Sequence, residues 1–163
     1  MEPFPHRYCV KGRGRVTGDV ELSAEGLTTL RSDSPSEFDG PGGRWSPETL
    51  LVGAVADCFI LTFRAIARAA GLSWISLECD VTGKLDRVDR VPQFTRLDIA
   101  AHLVVPFEED AERARRALEK TERACLISSS LKGAIGLEAT VEMAAAGDDR
   151  EAAVSSGSPA QKP

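Results

Sequence analysis

The stretch that most constrains this chain runs from Ser46 to Ala70, SPETLLVGAVADCFILTFRAIARAA. Ser46 is placed to cap a helix, Pro47 suits the first helical position, and Glu48 in the first turn complements the positive helix end. Gly71 supplies the stop. Leu50, Leu51, Ala54, Cys58, Leu61, Ala65 and Ala69 recur at steps of three and four, and Val52, Val55, Phe59 and Phe63 cover much of the remainder. A helix apolar on so many sides is expected to be buried against a sheet, a second helix or another subunit. Asp57, Arg64 and Arg68 interrupt the run and argue against a membrane span.

The remaining chain reads as strands around this helix. Residues 1–7 form a loose arm. Three short strands are expected over Tyr8–Arg15, Val16–Leu22 and Leu27–Arg31, the last two separated by a turn at Ser23–Gly26; together they make an antiparallel meander. Residues 32–46 are a loop rich in Ser, Asp, Pro and Gly, in which Phe38 and Trp45 stand out as apolar surface. Its PGGRW segment lacks the spacing and the Lys-Ser/Thr ending of a phosphate-binding loop. Trp74–Asp86 alternates, with Ile75, Leu77, Cys79, Val81 and Leu85 on the apolar parity. A turn over Arg87–Pro92 leads to a returning strand, Phe94–Val105, whose parity changes after Phe94, at a bulge or at the strand edge. His102 falls on the outer parity, as a solvated or hydrogen-bonded surface histidine. Glu108–Arg123, acidic in front and basic behind, is a second helix. Cys125 follows it, then a short helical turn and a last strand, Gly136–Met143. The order of elements predicts an α+β fold in one domain, residues 8–143, followed by a flexible tail, residues 144–163.

Composition narrows the chemistry. The 20 Lys and Arg against 25 Asp and Glu give a net charge of −5, mixed along the chain, which argues against a general nucleic-acid binder. The start, MEPFPHRYCV, carries two prolines and no apolar segment of the kind a secretory signal needs, so the cytoplasm is the simplest location. Cys9, Cys58, Cys79 and Cys125 then read as reduced or redox-active thiols rather than structural disulfides. They are too widely spaced for a compact zinc motif, and only His6 and His102 could add imidazole ligands; no metal site is expected.

Cys58 is the residue singled out by position. It suits packing in a buried helix, as cysteine often does, and it suits a reactive thiol if another element delivers a positive charge, because it lies three turns inside its helix and beyond reach of the helix end. Arg13 or Arg15 could supply that charge, and Glu48 could hold the arginine in place. Cys125 is open to the same two readings. Should the two thiols meet, two-cysteine peroxide chemistry follows: a thiolate becomes a sulfenic acid, and the second thiol condenses with it to a disulfide.

The segment from Ser46 to Phe59 resembles the central helix of the OsmC/Ohr family, which has a Pro-Glu-x-Leu start, a stretch of small residues, and Cys-Phe ten residues after the glutamate. Cys125 falls where that family has its other thiol, and the order of elements matches over Tyr8–Met143. The resemblance implies an OsmC-like α+β fold built as an intertwined homodimer, with active sites at the interface. It implies thiol-dependent reduction of organic hydroperoxides, and to varying degrees of hydrogen peroxide, with Cys58 attacking and Cys125 resolving. Glu48 would pair with an arginine, for which Arg15 fits best by separation and Arg13 is the reserve. Electrons would come from an external dithiol such as a lipoyl protein, without a bound cofactor or metal. The sequence departs from the organic-peroxide branch in having Gly43-Arg44-Trp45-Ser46-Pro47 for Gly-Thr-Asn-Pro, and Cys125-Leu126 for Cys-Pro. Trp45, Phe38 and Phe59 offer apolar surface for the hydrocarbon part of a peroxide. Two other readings compete with this one: a non-catalytic protein binding an apolar ligand, and a dithiol redox sensor.

Overall fold

The structure, a computed structural model, describes residues 3–145. The chain divides into two compact units, residues 1–51 and 52–163. The expected tail from residue 146 onward lies outside the described residues.

The first unit is a meander of three antiparallel strands, β1 (Lys11–Arg13), β2 (Val20–Ser23) and β3 (Leu30–Ser32). The strands are shorter than their sequence patterns, because glycines break the extended runs: Gly18 and Gly26 take positive φ, of 89° and 72°, in the two connections. Leu22 and Val20 side chains lie over Gly12 and Gly14, so one face of the sheet is apolar and the other carries Arg13, Glu21 and Arg31. The loop that follows contains one 3-10 turn, Ser36–Phe38, and returns so that Ser32 bridges Trp45. The Asp33 N–H donates to the Trp45 carbonyl at 2.9 Å.

Helix α1 spans Pro47–Ala70. Its start is a reciprocal cap: the Thr49 N–H donates to Ser46 Oγ at 3.2 Å, and the Ser46 N–H donates to Thr49 Oγ1 at 2.8 Å. Its end is a Schellman motif, in which Leu72 N–H reaches the Ala67 carbonyl (3.0 Å), Gly71 N–H reaches the Arg68 carbonyl (3.2 Å), and Gly71 sits at φ 58°.

In the second unit, β4 (Ser76–Val88), β5 (Val91–Val105) and β6 (Ala134–Met143) form a sheet with β5 in the centre. The β4–β5 hairpin is longer than the sequence pattern implied. Its turn is only Asp89-Arg90, both at positive φ (51° and 69°), the geometry of a tight two-residue connection. Arg87, Val91 and Pro92 therefore belong to the strands. Pro92 pairs with Arg87 ahead of the point where β6 joins at Arg96, so its missing N–H faces an open edge. The parity change after Phe94 is a bulge: Lys84 pairs with Arg96 and Leu85 with Phe94, leaving Thr95 unopposed.

Pro106 closes β5. A 3-10 turn, Glu108–Asp110, precedes helix α2, Ala111–Ala124, and one further turn, α3, spans Leu126–Ser129. Strand β6 then returns parallel to β5, so β5, α2 and β6 form a parallel crossover that the sequence reading did not anticipate.

The core of this unit joins Val55, Phe59, Phe63 and Ala67 of α1 with Ala114, Ala117 and Leu118 of α2 and with Leu97, Ile99, Ala101, Leu103 and Val105 of β5. By length and composition α1 could cross a membrane, yet this stripe is wholly buried within the unit. It is the 55/59/63/67 row that the chain covers, whereas Leu61 on the other row is 50% exposed. Trp74 stands edge-on to Phe63 at 5.3 Å. His102 lies on the outer face, with its Nε2 2.8 Å from Glu142 Oε2.

Candidate active site

Cys58 sits in the middle of α1, three turns beyond Glu48. Cys125 sits in the extended link between α2 and α3, at φ −65° and ψ 110°. The fold brings the two into one neighbourhood: the Cys125 thiol and the backbone N–H groups of Ile127 and Leu126 are among the groups that act on the Cys58 thiol. Thr62, one turn further along α1, places Oγ1 3.9 Å from Cys58 Sγ. All four cysteines are free thiols.

This arrangement divides the two thiols electrostatically. Burial works against a thiolate at Cys58, but the Ile127 N–H, the Cys125 thiol, the Thr62 hydroxyl and the Leu126 N–H together outweigh it, and its pKa falls below the ordinary thiol value. Cys125 moves the other way. Burial raises its pKa and the neighbouring Cys58 adds to the effect, only partly offset by hydrogen bonds from Ser128. One thiol is thus poised to ionise and the other to keep its proton and donate. Cys79, facing inward on β4, is pushed up to about 11 by burial, by the charge of Asp80 and by Cys125.

Within its own unit the groups that favour the Cys58 anion are thus the Ile127 and Leu126 amides, the Cys125 thiol and the Thr62 hydroxyl. The sequence points to a cation in this role instead. The Thr62 contribution was available in the sequence, four residues from Cys58 on the same helical face. Amide donors carry no residue signature, and only the fold reveals them.

Arg15 lies in the first unit, where a cleft of about 360 Å³ is lined by Arg13, Arg15, Thr17, Asp19, Glu21 and Arg31. Glu21 approaches Arg31 at 4.0 Å and Asp19 is held by Arg44 at 3.3 Å. Among the described residues neither Arg15 nor Arg13 makes an ion pair, so Arg15 and Glu48 are not brought into contact within the chain. Glu48, in the first turn of α1, has one carboxylate oxygen, Oε2, buried without a hydrogen-bond partner among the described residues. Of the three aromatics expected to offer apolar surface, Phe38 and Trp45 are exposed in the first unit, whereas Phe59 is wholly enclosed in the core of the second. Phe59 holds α1 to the sheet and is not a surface for ligand. Among the described residues no group of His, Cys, Asp and Glu is arranged to hold a metal ion.

Residues 40–148 match the family of OsmC-like proteins, and so most of the chain, including the whole cysteine pair, falls within the match. The chain belongs to the OsmC-like family. Among its relatives are the uncharacterized protein YmaD of Bacillus subtilis, 27% identical over 147 residues that span 85% of this chain and 96% of YmaD. Another is peroxiredoxin OsmC of Escherichia coli, 26% identical over 135 residues that span 78% of this chain and 93% of the relative. The OsmC-like fold recurs in solved structures. The OsmC-like protein of Mycoplasma pneumoniae superposes with a TM-score of 0.72 at 15% identity, covering 85% of this chain and 99% of that one. An organic hydroperoxide resistance protein of Legionella pneumophila superposes with a TM-score of 0.64 at 24% identity, again covering 85% and 99%.

Proposed function

We propose that this OsmC-like protein reduces organic hydroperoxides by two-thiol chemistry. The observation that carries the reading is the proximity of Cys58 and Cys125, each acting on the other, with Cys58 favoured as anion and Cys125 as protonated thiol. The Cys58 thiolate attacks the terminal peroxide oxygen. The S–O bond forms as the O–O bond breaks, and the leaving alkoxide takes a proton to become the alcohol. Cys58 is now a sulfenic acid. Cys125 gives up its proton and attacks the Cys58 sulfur; a disulfide forms and water leaves. An external dithiol, of which a lipoyl group is the chemical type, reopens the disulfide by exchange, gives it two electrons and leaves as its own disulfide.

Glu48 and Arg15 complete the site in this reading. The orphan oxygen of Glu48 is a place for a guanidinium. A homodimer is the expected assembly, since α1 leaves Leu61 half exposed and the meander leaves Val10 and Val20 uncovered. The exposed Trp45 and Phe38 favour an organic peroxide over hydrogen peroxide. The proposed setting is the cytoplasm, without a resident cofactor and without nucleic-acid or membrane partners.

The test is stopped-flow oxidation of the fully reduced protein by cumene hydroperoxide and by hydrogen peroxide, with peptide mass spectrometry of the products. The expected result is faster reaction with cumene hydroperoxide and a Cys58–Cys125 disulfide. Slow oxidation with both thiols retained would overturn the reading and turn attention to apolar-ligand binding. Reversible disulfide formation without peroxide turnover would favour a redox sensor.

A further inference from the structure

The two cysteine-bearing helices are joined at a second point, far from the thiols. Arg113, in the first turn of α2, donates from one nitrogen to the carbonyls of Ala70 and Gly71, at 2.8 and 3.2 Å. These are carbonyls that the Schellman motif at the end of α1 leaves free. Through its other terminal nitrogen Arg113 donates to Asp110 Oδ1 at 2.6 Å. Asp110 is 8% exposed, so the guanidinium is held from behind by a buried carboxylate.

The spacing gives this contact its meaning. Twelve residues separate Cys58 from Ala70, and twelve separate Arg113 from Cys125. At the helical rise each leg is about 18 Å long. Ala70 meets Arg113 at one end and Cys58 meets Cys125 at the other, so α1 and α2 run antiparallel as two sides of equal length. A slip of one helix along its axis by a single residue, about 1.5 Å, would be enough to part a thiol from its donors. Along the length between, the α2 side of the core is made largely of Ala114, Ala117 and Leu118.

We infer that Arg113 is a positioning residue: its bridge from Asp110 to the end of α1 sets the axial register of the two helices and so holds Cys125, Leu126 and Ile127 against Cys58. The planar fork of Arg113 reaches the carboxylate from one nitrogen and both carbonyls from the other. The inference rests on the dithiol reading of the site, but it concerns the geometry of the pair and not the identity of the oxidant.

The experiment measures two quantities on Arg113→Ala and on the double variant Asp110→Asn/Arg113→Gln, which leaves no buried carboxylate unpaired if the single variant fails to fold. One is the pH profile of iodoacetamide alkylation at Cys58, followed by peptide mass spectrometry to separate it from exposed Cys9. The other is the rate of Cys58–Cys125 disulfide formation with diamide, which takes two electrons and two protons from the pair without any peroxide. The expected result is a profile moved to higher pH, with alkylation at neutral pH slowed by about threefold to tenfold, and a slower diamide reaction. Arg116→Ala, which removes only the exposed Arg116–Glu112 pair on the same helix, should leave both unchanged. Leu103→Ala, destabilised in the sheet core, should leave the profile midpoint in place. A folded clamp variant with wild-type profile and wild-type diamide rate overturns the inference. A protein that fails to turn over peroxide yet shows these shifts refutes the peroxidase reading and leaves the clamp standing.

Discussion

Cys58 and Thr62 stand one helical turn apart on α1, with 3.9 Å between sulfur and hydroxyl oxygen. The hydroxyl is one of four donors that favour the thiolate over the thiol. Thr62→Val keeps the shape and removes the donor. The loss of one such bond, about 1 kcal/mol, should raise the Cys58 pKa by somewhat less than one unit. Because the folded value lies below the ordinary one, the thiolate persists to lower pH in the wild type, and the variant's alkylation profile should move upward. An unmoved profile would show that the backbone amides alone hold the anion.

Replacing Cys125 with serine separates the two steps of the proposed reaction. The first oxidation of Cys58 should survive, since the Leu126 and Ile127 amides remain. The sulfenic acid should then persist and be trapped by dimedone, while turnover with a dithiol falls by about a hundredfold, roughly 2.7 kcal/mol. Undiminished turnover would mean that the reductant attacks the sulfenic acid directly.

Cys79 should shape stability in alkali. Its thiol ionises near 9.0 when unfolded and at about 11 in the fold. Below the lower value both states hold the proton and the folded chain keeps its full advantage. As pH rises between the two, the unfolded chain loses its proton first, and stability falls at up to about 1.4 kcal/mol per unit. Urea unfolding at pH 8 and pH 10 should show this loss in the wild type and a smaller one in Cys79→Ala, whatever the baseline cost of the substitution.

Gly83 faces a different constraint. A Cβ there would stand 2.7 Å from the ring of Phe94 and 2.8 Å from a methyl of Val52. Gly83→Ala should cost about 1–3 kcal/mol by overpacking, read as a lower urea midpoint at unchanged slope. An unchanged midpoint would show that the Phe94 ring swings aside freely.

The sequence disclosed most about elements that carry their own punctuation. Ser46, Pro47, Glu48 and Gly71 bracket α1 to within a residue. The alternation of Leu77, Cys79 and Val81 sets the inner face of β4. The hairpin turn was less legible, because Asp89 and Arg90 adopt a positive φ without a glycine to announce it. The parallel docking of β6 was not legible at all, since alternation records which face a residue takes and not which way the neighbouring strand runs. At the site, Cys58 and Cys125 were recognisable as a pair by resemblance. The amides of Leu126 and Ile127 were not, because amides have no letter of their own.

Strand β6 is the last regular element in the described chain, and it pairs along β5 only after α2 has crossed over. During synthesis the segment bearing Cys125 therefore leaves the ribosome before the strand that follows it can lock the crossover in place. Cys58, made much earlier, spends that interval without the Leu126 and Ile127 amides beside it. The surroundings of the Cys58 thiol are thus complete only once the crossover is.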